Sequence, residues 1–293
     1  MTDSAASPSR AAEHRCGVVA LLGRPNAGKS TLLNALIGER LAITSQRAQT
    51  TRGRVLGVVT EPDAQIIFYD TPGVHRGQAR FNLAMTDAAL EVAADADVRL
   101  LLFDATARWD IPEEKLAELP APLLLVRTQC DRGAPGPVPS PERFADVIEV
   151  SAVTGAGLDR LRRAIVEQLP AGPALYPEDY LTDAPLRFLA AERIREVGFE
   201  RLRDELPYSL AVEIDSWDES GDALRIRANL LVERDSQKGI VVGAGGQMLK
   251  ELGSEARERI SALVGKPVHL NLWVKTDKNW SKKLRRIRQL GYL

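Results

Sequence analysis

The sequence predicts two units in series, an α/β domain built on a mostly parallel sheet and a smaller α+β domain after it. Three observations carry this. Short apolar runs alternate with helically spaced segments as far as residue 169, and a glycine-rich loop, GRPNAGKS, follows the first run at once. A proline- and glycine-rich stretch at 170–185 (PAGPALYPEDYLTDAP) then interrupts the pattern, and beyond it a different order of elements surrounds a second glycine-rich loop, GAGG. A length of 293 residues suits two cores, since domains run about 100 to 200 residues.

Residues 17–22 (GVVALL) read as a buried strand and 30–37 as a helix with Leu32, Leu33, Leu36 and Ile37 on one face. Further buried strands are expected at 55–59, 65–69, 98–103, 123–126 and 147–150, with helices at 84–93 and 158–169. The second unit reads as a helix (186–202), two alternating strands (208–216 and 223–232), a glycine-rich turn entered from an apolar strand-like run, a helix (247–263), a strand (268–274) and a basic final helix (280–289). The expected boundaries are a disordered tail at 1–15, a first domain at 16–172, a linker at 173–185 and a second domain at 186–293.

Composition excludes several classes. No apolar stretch reaches the ~20 residues needed to cross a bilayer, and the start lacks the apolar run of a secretory signal. The two cysteines, Cys16 and Cys130, form no CxxC pair, so neither a disulfide framework nor a zinc site is suggested and a reducing cytosol is expected. The net charge of −1 hides an asymmetry. From Lys266 onward the basic residues Lys275, Lys278, Lys282, Lys283, Arg285, Arg286 and Arg288 stand against Asp277 alone, which suits either a solvated helix face or a nucleic-acid surface.

GRPNAGKS matches the P-loop pattern G-x-x-x-x-G-K-[ST] and has the strand before it and the helix after it that the pattern requires. Gly23 and Gly28 let the backbone turn its N–H groups toward phosphate oxygens, with Arg24, Pro25, Asn26 and Ala27 completing the loop and Thr31 continuing into the helix. Lys29 is placed for the β- and γ-phosphates and Ser30 for Mg²⁺. About 40 residues later, at a strand end, Asp70, Thr71, Pro72 and Gly73 (DTPG) put a carboxylate near Mg²⁺ and a glycine N–H near a γ-phosphate, like the switch II motif of translation-factor-like GTPases. Between the two, residues 42–54 (AITSQRAQTTRGR) read as a loop in the position of switch I, with either Thr50 or Thr51 supplying a hydroxyl to Mg²⁺.

Base recognition in such GTPases resembles N-K-x-D followed by S-A, which this chain matches with Thr128, Gln129, Cys130 and Asp131, and with Ser151 and Ala152. Asp131 would accept from the N1 and 2-amino donors of guanine, a pair that adenine lacks. Thr128 and Gln129 depart from the pattern, and losing one or two neutral hydrogen bonds and some stacking costs about 1 to 3 kcal/mol. Cys130 reads as a small buried filler or as a point of oxidation sensitivity. Residues 132–141 (RGAPGPVPSP) are proline-rich where this fold usually carries a helix. After DTPG stands Val74, which cannot orient water, so slow turnover is expected, with His75 either a general base or an exposed loop histidine.

In the second unit, Gly243, Ala244, Gly245 and Gly246 match the GxxG loop of KH domains, flanked by Ile240, Val241 and Val242 and by Met248, Leu249 and Leu252. Glycines leave no Cβ between the main chain and a single-stranded nucleic-acid backbone. Lys238, Gly239, Lys250, Lys275, Lys282 and Lys283 are the expected RNA contacts around it, while Ala244 occupies a place where a lysine often stands.

The order P-loop, QTTR, DTPG, YPEDYLTDAPLRFLAAERIRE, ELPYS, KGIVVGAGG and LNLWVK resembles the Era family of ribosome-assembly GTPases over residues 17–293. The resemblance implies a P-loop GTPase domain followed by a type II KH domain, using GTP/GDP and Mg²⁺. Lys29, Thr50, Thr51 and Gly73 would serve hydrolysis. The implied partner is the 3′ end of 16S rRNA with its adjacent hairpin, on the 30S subunit, bound by a cytoplasmic monomer during late maturation. Peripheral membrane association is a further family expectation, for which only the basic tail is available. The alternatives are an RNA-binding module whose TQCD stretch has lost useful GTP binding, and an ATP-dependent kinase on the same loop, against which Asp131 and the GAGG half argue.

Overall fold

The computed structural model describes residues 13–43, 55–70, 92–133 and 136–292. A six-stranded sheet is built from β1 (Arg15–Gly23), β2 (Val55–Glu61), β3 (Ala64–Asp70), β4 (Val98–Asp104), β5 (Leu123–Thr128) and β6 (Asp146–Glu149). Their order is β2-β3-β1-β4-β5-β6, with every neighbouring pair parallel except β2 against β3. Parallel strands are covered on both faces, which explains their continuous apolar runs. Along β4, Val98, Leu100 and Leu102 enter one core with α1 (Lys29–Ile37) and α3 (Leu158–Gln168). Leu101 and Phe103 point the other way, into a second core that includes Leu116 of the short α2 (Glu113–Ala117). Because β1, β3 and β5 run in one direction, Gly23, Asp70 and Thr128 emerge at the same edge, where open α/β sheets bind ligands.

The second unit packs α4 (Leu186–Arg201), α6 (Asp235–Val242) and α7 (Gln247–Val264) on one face of a three-stranded sheet of order β7-β8-β9. Here β7 (Ala211–Asp218) is antiparallel to β8 (Leu224–Val232), and β9 (Val268–Thr276) is parallel to it. Between α4 and β7 lies the helical turn α5 (Leu206–Ser209).

Several expectations change. The strand expected from 208 begins at Ala211, because Pro207 in the first turn of α5 favours helix over strand there. The IVV run before GAGG is helical, so the loop joins two helices and not a strand and a helix. Gln237 starts α6 by accepting the N–H groups of Glu233 and Arg234, at 3.0 Å each, and that cap overrides the β-branched propensity. The final helix is split into a 3₁₀ turn (Trp280–Lys282) and α8 (Leu284–Gln289), with extended Lys283 between them. Trp280 is fully buried, its indole N–H donating to the Ser209 carbonyl at 2.9 Å, and Ile287 and Tyr292 pack beside it. Between β5 and β6 the described residues hold only a 3₁₀ turn, Pro141–Arg143. Of the helix expected at 84–93, residues 92 and 93 are described, and helix continues to 95.

The proline-rich connector is tied to the first sheet. Buried Gln65 accepts from the Leu175 and Tyr176 N–H groups at 2.8 and 2.9 Å and donates to the Tyr176 carbonyl at 2.9 Å. Val58 N–H donates to the Leu181 carbonyl, and Tyr176 stacks on Tyr180. An Arg40–Glu196 ion pair at 3.1 Å further links the two units. No helix among the described residues is long and apolar enough to cross a membrane.

Candidate nucleotide site and RNA groove

The loop after β1 turns on Gly23 at φ +147°, where a Cβ would lie 2.5 Å from the Leu102 carbonyl, and on left-handed Gly28. A side chain at Gly23 would collide with backbone, so the glycine is sterically required. Lys29 is buried, its amine donating to the Gly23 and Arg24 carbonyls at 3.0 and 2.9 Å. Burial pulls its ammonium down to about 8, while the Asp70 carboxylate pushes the other way. That amine sits across the loop mouth, and α1 points its N-terminal N–H groups at the same place.

Ser30 Oγ donates to Asp70 Oδ2 at 2.9 Å, both residues being buried. A hydroxyl and a carboxylate held together at the end of β3 are the hard oxygen donors that suit Mg²⁺. Thr50, Thr51, Thr71, Pro72, Gly73, Val74 and His75 lie outside the described residues.

At the end of β5, Thr128 is buried and its hydroxyl donates to the Ala27 carbonyl at 2.8 Å, with the Phe103 carbonyl at 3.3 Å. Gln129 takes a positive φ of 60° and its amide donates to the Asn26 carbonyl at 3.2 Å and to Asp104 Oδ2 at 3.1 Å. Both replacements therefore hold the phosphate loop. Asp131 is exposed at the turn that follows. The second base loop meets the first through Cys130 N–H on the Val150 carbonyl, and buried Ser151 accepts the Thr154 N–H at 3.2 Å, with half-buried Ala152 next to it. Burial, followed by the Asp131 and Glu149 carboxylates, pushes the Cys130 thiol up, which disfavours the reactive thiolate and argues against the oxidation-sensitive reading.

On the second domain, α6 ends at Gly243, with φ +75°, and α7 begins after Gly246, with φ +80°. A Cβ on Gly243 would fall 2.6 Å from Met248 Cβ, while Gly245 and Gly246 face open space. Ala244, Gly245, Lys250, Lys238 and Gly239 are exposed. Beside the loop runs a groove of about 400 Å³ lined by Gly246, Leu249, Lys250, Gly253, Arg257 and, from β9, Leu270 and Leu272. Its Gly253, Arg257, Leu270 and Leu272 escaped the sequence reading. Spacing would have found the first two, because 246, 250, 253 and 257 share one helix face. Lys275 and Lys282 are exposed, as expected of RNA contacts, whereas Lys283 donates to Asp277 at 3.2 Å. Arg286 is bound by Glu213 and Asp277 at 2.7 and 2.8 Å, so part of the basic tail is neutralised within the fold.

The chain matches the family model described as 50S ribosome-binding GTPase over residues 18–129 and that of the KH domain over residues 205–281. It is 44% identical over 293 residues to a GTPase Era of Geobacter metallireducens, spanning 95% of this chain and 98% of that one. It is also 42% identical to a GTPase Era of Lacticaseibacillus paracasei, over 96% and 97% of the two chains. Among solved structures it is similar to Era in complex with MgGDPNP and nucleotides 1506–1542 of 16S ribosomal RNA, with a TM-score of 0.89, 38% identity and coverage of 95% and 99%. A variant of Aquifex aeolicus Era bound to GDP and AlF4⁻ gives a TM-score of 0.87 at 37% identity, with coverage of 95% and 99%.

Proposed function

The chain belongs to the Era family of GTPases, and from that premise we infer a GTP-hydrolysing switch whose KH domain holds the single-stranded 3′ end of 16S rRNA and assists assembly of the small ribosomal subunit. The observation that carries the nucleotide half is the gathering at one sheet edge of the Lys29 amine, the Ser30–Asp70 pair and the 128–131 turn. Lys29 and the loop N–H groups would bind the β- and γ-phosphates and offset the charge that develops on hydrolysis. Ser30, and Asp70 through water, would hold Mg²⁺, which supplies further charge neutralisation between the phosphates. Asp131 would accept the two donors of the guanine edge. Gly73 would offer its N–H to the γ-phosphate, and Thr50 or Thr51 a hydroxyl to the metal. Without a water-orienting glutamine after DTPG, hydrolysis by the chain alone is slow, and RNA or another partner would set the moment of turnover.

Loss of GTP binding through TQCD is the weaker reading, because Thr128 and Gln129 brace the phosphate loop that the asparagine–lysine pair would otherwise serve. Titration with labelled GTP, GDP and ATP decides: micromolar GTP and GDP with no ATP binding is expected, and millimolar GTP would sink the switch. Lys29→Ala should remove nucleotide binding. For the RNA half, an oligonucleotide of the 16S 3′ end should bind, and Gly246→Asp should weaken it by placing a carboxylate against the phosphates. The chain is further read as a cytoplasmic monomer whose exposed tail residues Lys278, Arg285 and Arg288 are its contact with anionic membrane surfaces. Light scattering after gel filtration and co-sedimentation with anionic vesicles test those two points.

A further inference from the structure

The KH sheet has two faces, and the helices cover one. Registry places Val212, Leu230 and Val274, then Ile214, Ala228 and Leu272, on the helix side. On the opposite face the C-terminal segment caps one end, where Ala211 and Leu231 pack with Trp280, Ile287 and Tyr292. Beyond that end the β8 and β9 residues on this face are exposed except Asn229. Cross-strand neighbours there are Arg225 with His269, Arg227 with Asn271 and Asn229 with Trp273. Both arginines, His269 and Asn271 are exposed, and the Trp273 side chain, on an edge strand, is 47% exposed.

A half-exposed tryptophan can be ordinary surface. Its neighbours make this one different. Glu213 is bound to Arg286, and Asp218, which accepts from Ser220 at 2.6 and 3.0 Å, stands across the strand pair from Arg225. Asp218 offsets part of the Arg225 charge, and Arg227, next along the same face of β8 from Asn229, is the guanidinium nearer the indole. Asn229 lies directly beside Trp273, only 2% exposed, and its Nδ2 has no hydrogen-bond partner among the described residues. An aromatic plane, an adjacent cation and an exposed side-chain amide, that of Asn271, are the set that single-stranded RNA uses, for base stacking, phosphate contact and base-edge hydrogen bonds. The face is also continuous with the GxxG groove, because β9 serves both: Leu270, Asn271 and Leu272 line the groove, and Trp273 lies on the other side.

We propose that this open face is a second RNA-binding surface, on which Trp273 stacks bases of a single strand continuing from the GxxG groove around the free edge of β9, with Arg225 and Arg227 on its phosphates. This rests on the groove being the primary RNA site. The test uses the full chain and single-stranded RNA from the 16S 3′ end in two lengths, about six nucleotides, little more than the groove holds, and about twelve. Trp273→Ala should weaken the longer RNA about tenfold and leave the shorter unchanged, with Trp273→Phe restoring most of the loss. The Arg225→Ala, Arg227→Ala double variant should flatten the salt dependence of the longer RNA by roughly two units of slope. Unchanged affinity of Trp273→Ala for the longer RNA overturns the proposal, as does an equal loss for both lengths. Loss of binding to the assembled subunit without loss of RNA affinity also overturns it, and marks the face as a protein contact. Gly246→Asp should weaken both lengths. If it weakens neither while Trp273→Ala still weakens the longer RNA, the groove reading fails and the sheet-face assignment stands.

Discussion

The Thr128 hydroxyl donates to the Ala27 carbonyl at 2.8 Å, joining the turn after β5 to the phosphate loop across a separation of 101 residues. It replaces part of what an asparagine amide does at this place, since the hydroxyl ties the loop but is too short to reach a base. Thr128→Val keeps the shape and leaves that buried carbonyl short of a donor, at a cost of about 1 to 3 kcal/mol. GTP and GDP should therefore both weaken, by roughly ten- to a hundredfold, in isothermal titration. A change confined to one of the two nucleotides would show that the tie is not what Thr128 contributes.

Asp131→Asn should exchange base preference. The carboxylate accepts two donors, whereas an amide can donate to the 2-carbonyl of xanthine. We expect GTP affinity to fall at least about tenfold and xanthosine triphosphate to gain, measured by competition against a fluorescent nucleotide.

Nucleotide binding should take up a proton near pH 8. Phosphate oxygens favour the Lys29 ammonium, which burial has brought down to about 8, so affinity should drop by up to about tenfold per pH unit above that value. Without nucleotide, the unfolded chain keeps this proton to about 10.5 and the folded chain releases it near 8. The unfolded state thus binds more protons in that window, and this group makes stability rise with pH across it. Calorimetry in buffers of different ionisation enthalpy reads the proton taken up on binding, and in Lys29→Met the rise of stability with pH across that window should disappear.

Gly243→Ala and Gly245→Ala should differ. At Gly243 the new Cβ meets Met248 at 2.6 Å and the backbone is at φ +75°, whereas Gly245 has φ +58° and open space. The first should cost about 2 to 3 kcal/mol and lose RNA binding, and the second about 1 kcal/mol, in urea titration.

Gln65→Leu removes three hydrogen bonds to Leu175 and Tyr176 and should release the connector. Chymotrypsin cleavage after Tyr180, which Leu181 follows, should then accelerate several-fold with nucleotide affinity unchanged. An unaltered cleavage rate would mean that the stacked tyrosines hold the connector by themselves.

Much of the architecture was legible because it rests on local rules. Apolar runs such as LLLV at 123–126 read as buried strands, and Gly23 and Gly28 sit where phosphate binding needs bare backbone. Where reading failed, a contact from far along the chain had overridden a local preference. Val241 and Val242 are helical although β-branched, because Gln237 caps α6 and Val241 is buried in the domain core. The basic tail read as solvated or RNA-facing, yet Trp280 anchors it and Glu213, from β7, neutralises Arg286.

The sequence by itself determined the two glycine loops, the strand–helix alternation and the presence of Asp131, since each depends on residue type within a few positions. Only the tertiary structure decided that Thr128 and Gln129 brace the phosphate loop, that Gln65 holds the connector, and that β9 presents leucines to the groove and Trp273 to the opposite face. These are pairings between residues far apart in sequence. Local preference carries no term for which distant carbonyl a hydroxyl will meet, and packing of the two cores supplies it.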